Sequence, residues 1–280
     1  MASEQTEVSP CCVTGHIHSG TPLGSNQILH GLNTYVSNSK PPTEAGAKQN
    51  VVILLHDIFG ADLVNTKLVA DEYAGRGWKV LLPDVFEGDA VDIANLNAIV
   101  PNNKYADEST VATKAADGVK AAAALGPWLI KHREAVSRPL IENFVAGVRA
   151  DPSTGKIAAV GYCWGGRYVA LLAHDDSPAR IDVGVSTHPS FMVADDLKPI
   201  TKVPIAIYKG GKDAMVTDDG LKEFEGILRE QLGDKVETKI YPKGVHGFAV
   251  RGDMEDPTEK AEKEEVTKDS LDFIAKYFNQ

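Results

Sequence analysis

A mainly parallel β-sheet covered by helices on both faces is the α/β architecture this chain predicts, and three observations predict it. Short, continuous apolar runs recur at Val51 to His56, Lys79 to Leu82, Ile157 to Val160 and Val203 to Tyr208, the pattern of strands buried on both sides. Helical periodicity follows at Thr66 to Arg76, Arg167 to His174 and Gly220 to Leu232, so strand and helix alternate. Three strand ends also carry residues able to do chemistry, Cys163, Asp213 and His246, and such residues converge at the carboxyl edge of a parallel sheet.

In chain order, residues 1 to 28 form an amino-terminal arm, where Pro10, Gly15, Gly20, Pro22 and Gly24 argue against a helix. Ile28 to Ser37 is expected as one early strand and Asn38 to Asn50 as a polar loop. The strand at Lys79 to Leu82 is closed by Pro83. Residues 88 to 149 are less regular. Val111 to Leu125 is alanine-rich and helical, Gly126-Pro127 interrupts it, and Trp128 to Val148 resumes a helical period. This stretch exceeds a simple crossover helix, so part of it is expected to cap the site, with Trp128, His132 and Phe144 either shaping a pocket or packing on the core. Val183 to Ser186 and Val236 to Ile240 are further strands. Glu259 to Tyr277 reads as a charged amphipathic helix that docks Val266, Leu271, Phe273 and Ile274 on the sheet. No linker divides the chain, so its 280 residues, 43% of them apolar, are expected as one domain with a large core.

The run Ile157-Ala-Ala-Val-Gly161-Tyr-Cys163-Trp-Gly165-Gly166 places a cysteine on a tight strand-to-helix turn. Small residues two positions to either side are required there, because side chains would collide with the crossing backbone. A thiol of ordinary acidity, about 8.5, is only slightly ionised at neutral pH, so a nucleophilic Cys163 needs a base. His246, in the turn after Val236 to Ile240, supplies one, and Asp213, in the glycine-rich turn after Val203 to Tyr208, would orient it. His188, at another strand end, fits a pocket lining better than a base. On the expected fold, the backbone amides of Trp164 and Ile58 would hold the oxyanion.

These residues resemble the dienelactone hydrolase family, a branch of the α/β-hydrolase superfamily with a cysteine nucleophile. The resemblance rests on Gly161-Tyr-Cys163-Trp-Gly165-Gly166, Gly211-Lys-Asp213, His246-Gly-Phe248 and His56-Asp57-Ile58-Phe59-Gly60, and it spans nearly the whole chain. The opening Cys11-Cys12-Val-Thr-Gly15 with Gly20-Thr-Pro-Leu-Gly24 is similar to the start of fungal members. The resemblance implies hydrolysis of enol-lactones to maleylacetate through an acyl-cysteine, without metal or organic cofactor. Bacterial members carry glutamate at the position of Asp57, where it pairs with the resting cysteine. Aspartate keeps that charge with a shorter reach. They also carry an arginine soon after the Pro-Asp that ends the second core strand, where Pro83-Asp84-Val-Phe86-Glu87-Gly88-Asp89 is acidic here. One of two carboxylate clamps is therefore absent. Arg251, one place later than the second clamp, is either a ligand for a substrate carboxylate or a surface ion pair.

The resemblance implies a small lactone or ester as substrate, and composition argues only against other partners. The net charge of −10 carries no basic footprint for nucleic acid. No apolar run reaches 18 residues and no signal segment opens the chain, so a membrane is not expected and the cytoplasm is the default location. Three cysteines, two of them adjacent, make neither a disulfide framework nor a metal site. A carboxylesterase or thioesterase would use the same triad on a neutral or thioester substrate. An inert binding protein would keep the pocket, and a redox protein would need Cys11 or Cys12 as resolving thiol. The oligomeric state is left open.

Overall fold

The computed structural model describes residues 17–38, 46–95, 110, 116, 119, 123 and 125–280. Among these, eight strands form one sheet: β1 (Ser25–Leu29), β2 (Leu32–Asn38), β3 (Gln49–Leu55), β4 (Lys79–Pro83), β5 (Thr154–Tyr162), β6 (Val183–Thr187), β7 (Ile205–Gly210) and β8 (Val236–Tyr241). Their spatial order is β1-β2-β4-β3-β5-β6-β7-β8. The pairs β1–β2 and β2–β4 are antiparallel and every other neighbour is parallel. With helices on both faces, this is the α/β-hydrolase fold.

Alternation along the central strand explains the layers. In β3, Ile53 and Leu55 face one apolar cluster while Val52 and Leu54 face the other, as the two-residue period of a strand demands. The first layer is completed by α2 (Glu134–Ala150), α3 (Trp164–Leu172) and α4 (Asp218–Leu232), through residues such as Phe144, Val169 and Leu228. The second layer receives α1 (Val64–Ala74), the short α5 (Phe248–Arg251) and α6 (Pro257–Phe278), through Val69, Tyr73, Phe273 and Ile274. The carboxylate of Asp256 accepts the amides of Thr258 and Glu259. With Pro257 in the first turn, it starts α6 before the expected Glu259.

Two expectations need correction. The single strand expected over Ile28 to Ser37 is a hairpin, because His30 and Gly31 take successive positive φ angles of 48° and 89°, the backbone of a two-residue turn. The continuous helix expected over Trp128 to Val148 breaks at Arg133, whose extended ψ of 158° takes it out of the helical path before α2 begins. The helix expected over Val111 to Leu125 and the cysteines Cys11 and Cys12 lie largely or wholly outside the described residues. Among the described residues, no helix is long and apolar enough to cross a membrane.

The sheet order puts β3, β5, β6, β7 and β8 side by side and parallel, so five loops leave the same edge next to one another. The elbow helix α3 lies hard against this edge. A Cβ added at Gly165 would overlap the carbonyl oxygen of Leu55, and one at Gly161 would overlap that of Gly165. Gly165→Ala should therefore abolish soluble expression or lower stability by more than about 3 kcal/mol. Gly226, exposed in α4 with no atom near its Cβ position, is the contrast: Gly226→Ala should raise stability by about 0.5–1 kcal/mol. Thermal melts of the two variants beside the parent protein check both.

Candidate active site

Strand β5 delivers Cys163 onto the turn, and α3 begins at the next residue. Cys163 has φ 54° and ψ −115°, a strained backbone that only surrounding contacts maintain, at a cost of about 1–3 kcal/mol. Two such contacts flank it directly. Its amide donates to the carbonyl of Thr187 at 3.2 Å, and its own carbonyl accepts from the amide of Ser190 at 2.9 Å. The strain lifts the thiol above the sheet edge while leaving it buried, 3% exposed.

The loops after β7 and β8 are stitched together in the same way. Gly211 donates to the Tyr241 carbonyl at 2.7 Å and Lys212 to that of Gly244 at 2.9 Å. This fixes the separation of Asp213 and His246, so that Asp213 Oδ2 lies 2.8 Å from His246 Nδ1. The amide of Met215 donates to the other carboxylate oxygen at 2.8 Å. His246 Nε2 faces the Ser190 hydroxyl at 3.2 Å, and Ser190 Oγ lies 3.3 Å from Cys163 Sγ. The three residues expected as a triad are thus brought together on one edge.

Their charges support one another. Burial pushes the Cys163 thiol up, but the positive charge and hydrogen bond of His246, with hydrogen bonds from Ser190 and the Trp164 amide, outweigh it and hold the thiol below its usual value. Burial likewise works against a charged His246, yet the Cys163 thiolate and the Asp213 carboxylate push it up to about 10. Asp213, also penalised by burial, is held below the usual carboxylate value by the hydrogen bond and charge of His246. A thiolate at Cys163 and an imidazolium at His246 thus stabilise one another.

The residues after β3 form a second buried group. Asp57 Oδ1 accepts the amide of Phe59 at 2.9 Å, and Arg251 from α5 places Nη1 against Asp57 Oδ2. The Arg251 guanidinium also lies 5.0 Å from the centre of the Phe59 ring. Arg251 is 6% exposed, so its ion pair is an internal one rather than the surface pair the sequence left open. Ile58 is held by its carbonyl, which accepts from the Val91 amide at 2.8 Å. The Trp164 amide donates to the Cys163 sulfur.

Sequence reasoning gave no role to Ser190. Its only signal was its place in the strand-end run Thr187-His188-Pro189-Ser190, after β6. His188 is fully buried, with rings of Tyr162, His246 and Phe248 within 5.1–5.8 Å. Burial, reinforced by the charge of His246, pushes it down to about 3. It is therefore neutral, and the Asp213 contact belongs to His246 alone of the two.

Of the cap residues, Trp128 and His132 join Phe86 and Trp164 in an aromatic cluster with centroids 4.7–4.8 Å from Phe86, while Phe144 packs in the core. A cavity of about 90 Å³ beside the elbow is lined in part by Leu129, Arg133, Trp164, Tyr168, Ser190 and Phe191. Arg167 also reaches it, but its guanidinium is bound to Asp196 at 2.8 and 3.0 Å and to Glu134 at 2.6 Å.

The model of the dienelactone hydrolase family matches residues 33–278. The chain belongs to the dienelactone hydrolase family. It is 30% identical over 272 residues to "Hydrolase pyvD" of Aspergillus violaceofuscus, covering 97% of this chain and 98% of that one. It is 34% identical over 247 residues to "Hydrolase tropI" of Talaromyces stipitatus, covering 87% and 86%. Among solved structures, the dienelactone hydrolase of Anabaena variabilis superposes with a TM-score of 0.58 at 15% identity, covering 93% of this chain and 99% of that one, and so shares the fold. As a family member, the chain is a hydrolase of the carboxylic ester and lactone class with a cysteine and a histidine in proximity.

The charge pairing has a pH consequence. Protonating Cys163 below its depressed value, or deprotonating His246 near pH 10, dissolves the pair, so turnover should plateau between these limits and fall on both sides. Asp213→Asn should pull the alkaline limb below 10 and lower kcat on the order of 10⁴-fold. A pH–rate profile of both proteins tests this. For the buried pair, Arg251→Ala strands the Asp57 carboxylate and should cost about 3–5 kcal/mol of stability. Adding Asp57→Ala should restore part of it in a chemical-denaturation series.

Proposed function

We propose that this chain is a cysteine-dependent hydrolase that opens an enol-lactone of the dienelactone type through an acyl-cysteine. The observation that carries the reading is the chain of contacts from Cys163 to His246 to Asp213 at the carboxyl ends of β5, β8 and β7, with the thiol depressed and the imidazole raised. The Cys163 thiolate adds to the lactone carbonyl carbon, and the carbonyl electron pair moves onto oxygen. Amides of Trp164 and Ile58 would receive that oxyanion. Collapse expels the ring oxygen as an enolate, which takes the proton of His246 Nε2 and tautomerises to the ketone, leaving His246 neutral. Water then adds to the thioester with His246 as base, and the thiolate leaves. An enolate competes with thiolate as a leaving group where an ordinary alkoxide does not, so activated acyl substrates suit this nucleophile.

A second reading, hydrolysis of a neutral aryl ester or thioester with the same triad, is favoured by the pocket's charges. Arg251 is turned toward Asp57, and Arg167 toward Asp196 and Glu134. Aromatic Trp164, Tyr168 and Phe191 line the cavity. Arg133 is the exposed cation that faces it, with Nη1 donating to the Ile130 carbonyl at 2.9 Å. If a carboxylate-bearing lactone is the substrate, Arg133 is the residue in place to meet it.

Steady-state hydrolysis of cis- and trans-dienelactone, a neutral aryl ester and an acyl thioester separates the readings. Cys163→Ala should abolish turnover of every substrate and leave the thermal melt within a few degrees; residual wild-type rates would overturn the mechanism. For the lactone reading, Arg133→Ala should raise KM for dienelactone about tenfold or more, with little change for the aryl ester. Equal effects on both substrates would favour the neutral reading.

A further inference from the structure

The loop after β6 is built to hold one hydroxyl at the nucleophile. Thr187 and Ser190 each exchange a backbone hydrogen bond with Cys163, at 3.2 and 2.9 Å, so the elbow and this loop are clamped from both sides. Between them the chain turns sharply. His188 has a positive φ of 41° and donates its amide to the Tyr208 carbonyl at 2.7 Å. Pro189 Cα sits where a side chain on Gly166 would come within 3.1 Å. Phe191, just past the serine, again has a positive φ of 61°. Two residues in a sparsely populated backbone region on either side of Ser190 mark a conformation that the surroundings impose.

The result is a hydroxyl, 1% exposed, 3.3 Å from Cys163 Sγ and 3.2 Å from His246 Nε2. Proton counting fixes the direction of these bonds. In the thiolate and imidazolium state, Nε2 carries one proton, shared between the Cys163 sulfur and Ser190 Oγ, and can only donate, so Ser190 Oγ is the acceptor toward it. The single hydroxyl proton then points at the sulfur, which has none. We propose that Ser190 is a fourth member of the catalytic constellation, its hydroxyl bridging the imidazolium to the thiolate and stabilising the charged nucleophile. The proposal rests on Cys163 being the nucleophile and goes beyond the triad. A donor to an ionised acceptor is stronger than a neutral bond, and here solvent does not compete for it.

The other charged and titratable groups around this pair are His246 with Asp213, the neutral His188, Asp57 with Arg251 at the end of β3, and, across the cavity, His132, Arg133, Glu134 and Arg167. None of them is altered by changing residue 190, which isolates the hydroxyl.

The test is the pH dependence of Cys163 alkylation by iodoacetamide in the full-length protein, read on the Cys163 peptide by mass spectrometry so that Cys11 and Cys12 do not contribute. Ser190→Ala should move the acid limb up by about one pH unit, a tenfold loss of thiolate at a given acid pH. Ser190→Thr, which keeps the hydroxyl, should return the limb to within half a unit. The pair Ser190→Thr and Ser190→Val, nearly equal in shape, decides the matter if the alanine variant is unstable, with the limb raised only in the valine protein. Superimposed profiles for threonine and valine, or for alanine and the parent, would overturn the bridge. This readout uses no substrate, so it stands apart from the lactone reading: turnover surviving in Cys163→Ala would sink that reading, whatever the alkylation profiles.

Discussion

The close approach of α3 to the ends of β3 and β5 is the constraint on which the site depends. Gly165 packs on the Leu55 carbonyl and Gly161 on that of Gly165, so the helix can start within one residue of the strand only because no side chain intervenes. That abrupt start imposes the strained backbone of Cys163 and raises its sulfur above the sheet. It also turns the first amide of the helix, that of Trp164, toward the sulfur. The positive end of the helix dipole points the same way. The strain is held by neighbours rather than by the elbow itself, chiefly the two backbone bonds to Thr187 and Ser190.

Electrostatics around the elbow follow a consistent logic of internal pairing. Buried charges in this region have partners: Asp213 with His246, Asp57 with Arg251, and Arg167 with Asp196 and Glu134. Unpaired, each would carry a large desolvation penalty. His56 and His188, buried without a carboxylate at hydrogen-bonding distance, stay neutral instead. His56 is pushed down to about 4 mainly by burial, with Nδ1 donating to the Asp57 carbonyl at 2.8 Å and Nε2 accepting from the Val85 amide at 3.3 Å. His188 behaves likewise. His246 combines a carboxylate on one nitrogen with a thiol and hydroxyl near the other, which sets it apart from His56 and His188.

Much of the fold was legible because its signals are local. Continuous apolar runs at Val51 to His56 and Ile157 to Val160 announce strands buried on both faces, and the glycines around Cys163 announce the elbow. Where the prediction failed, the deciding information was a backbone torsion: two successive positive φ angles at His30 and Gly31, or one extended residue at Arg133. The early hairpin is also antiparallel and its β1 forms the edge of the sheet, mostly exposed along its length, unlike the continuous runs that carry the parallel core.

From the sequence alone came the three residues read as nucleophile, base and orienting acid, since each residue type stands at the end of an apolar run, where a parallel sheet gathers its loops. The sequence also determined the family, through short motifs in which glycine spacing and reactive side chains occur together. Tertiary structure decided which cations face a substrate. Arg251 and Arg167 are both near the site in sequence terms, yet each lies against carboxylates supplied by distant elements, Asp57 after β3 and Asp196 beyond β6. It also decided the place of Ser190, 27 residues from Cys163 and without a motif. Only the clamping of one loop onto another sets such a contact, because burial and pairing depend on what surrounds a side chain in space, which no local pattern records.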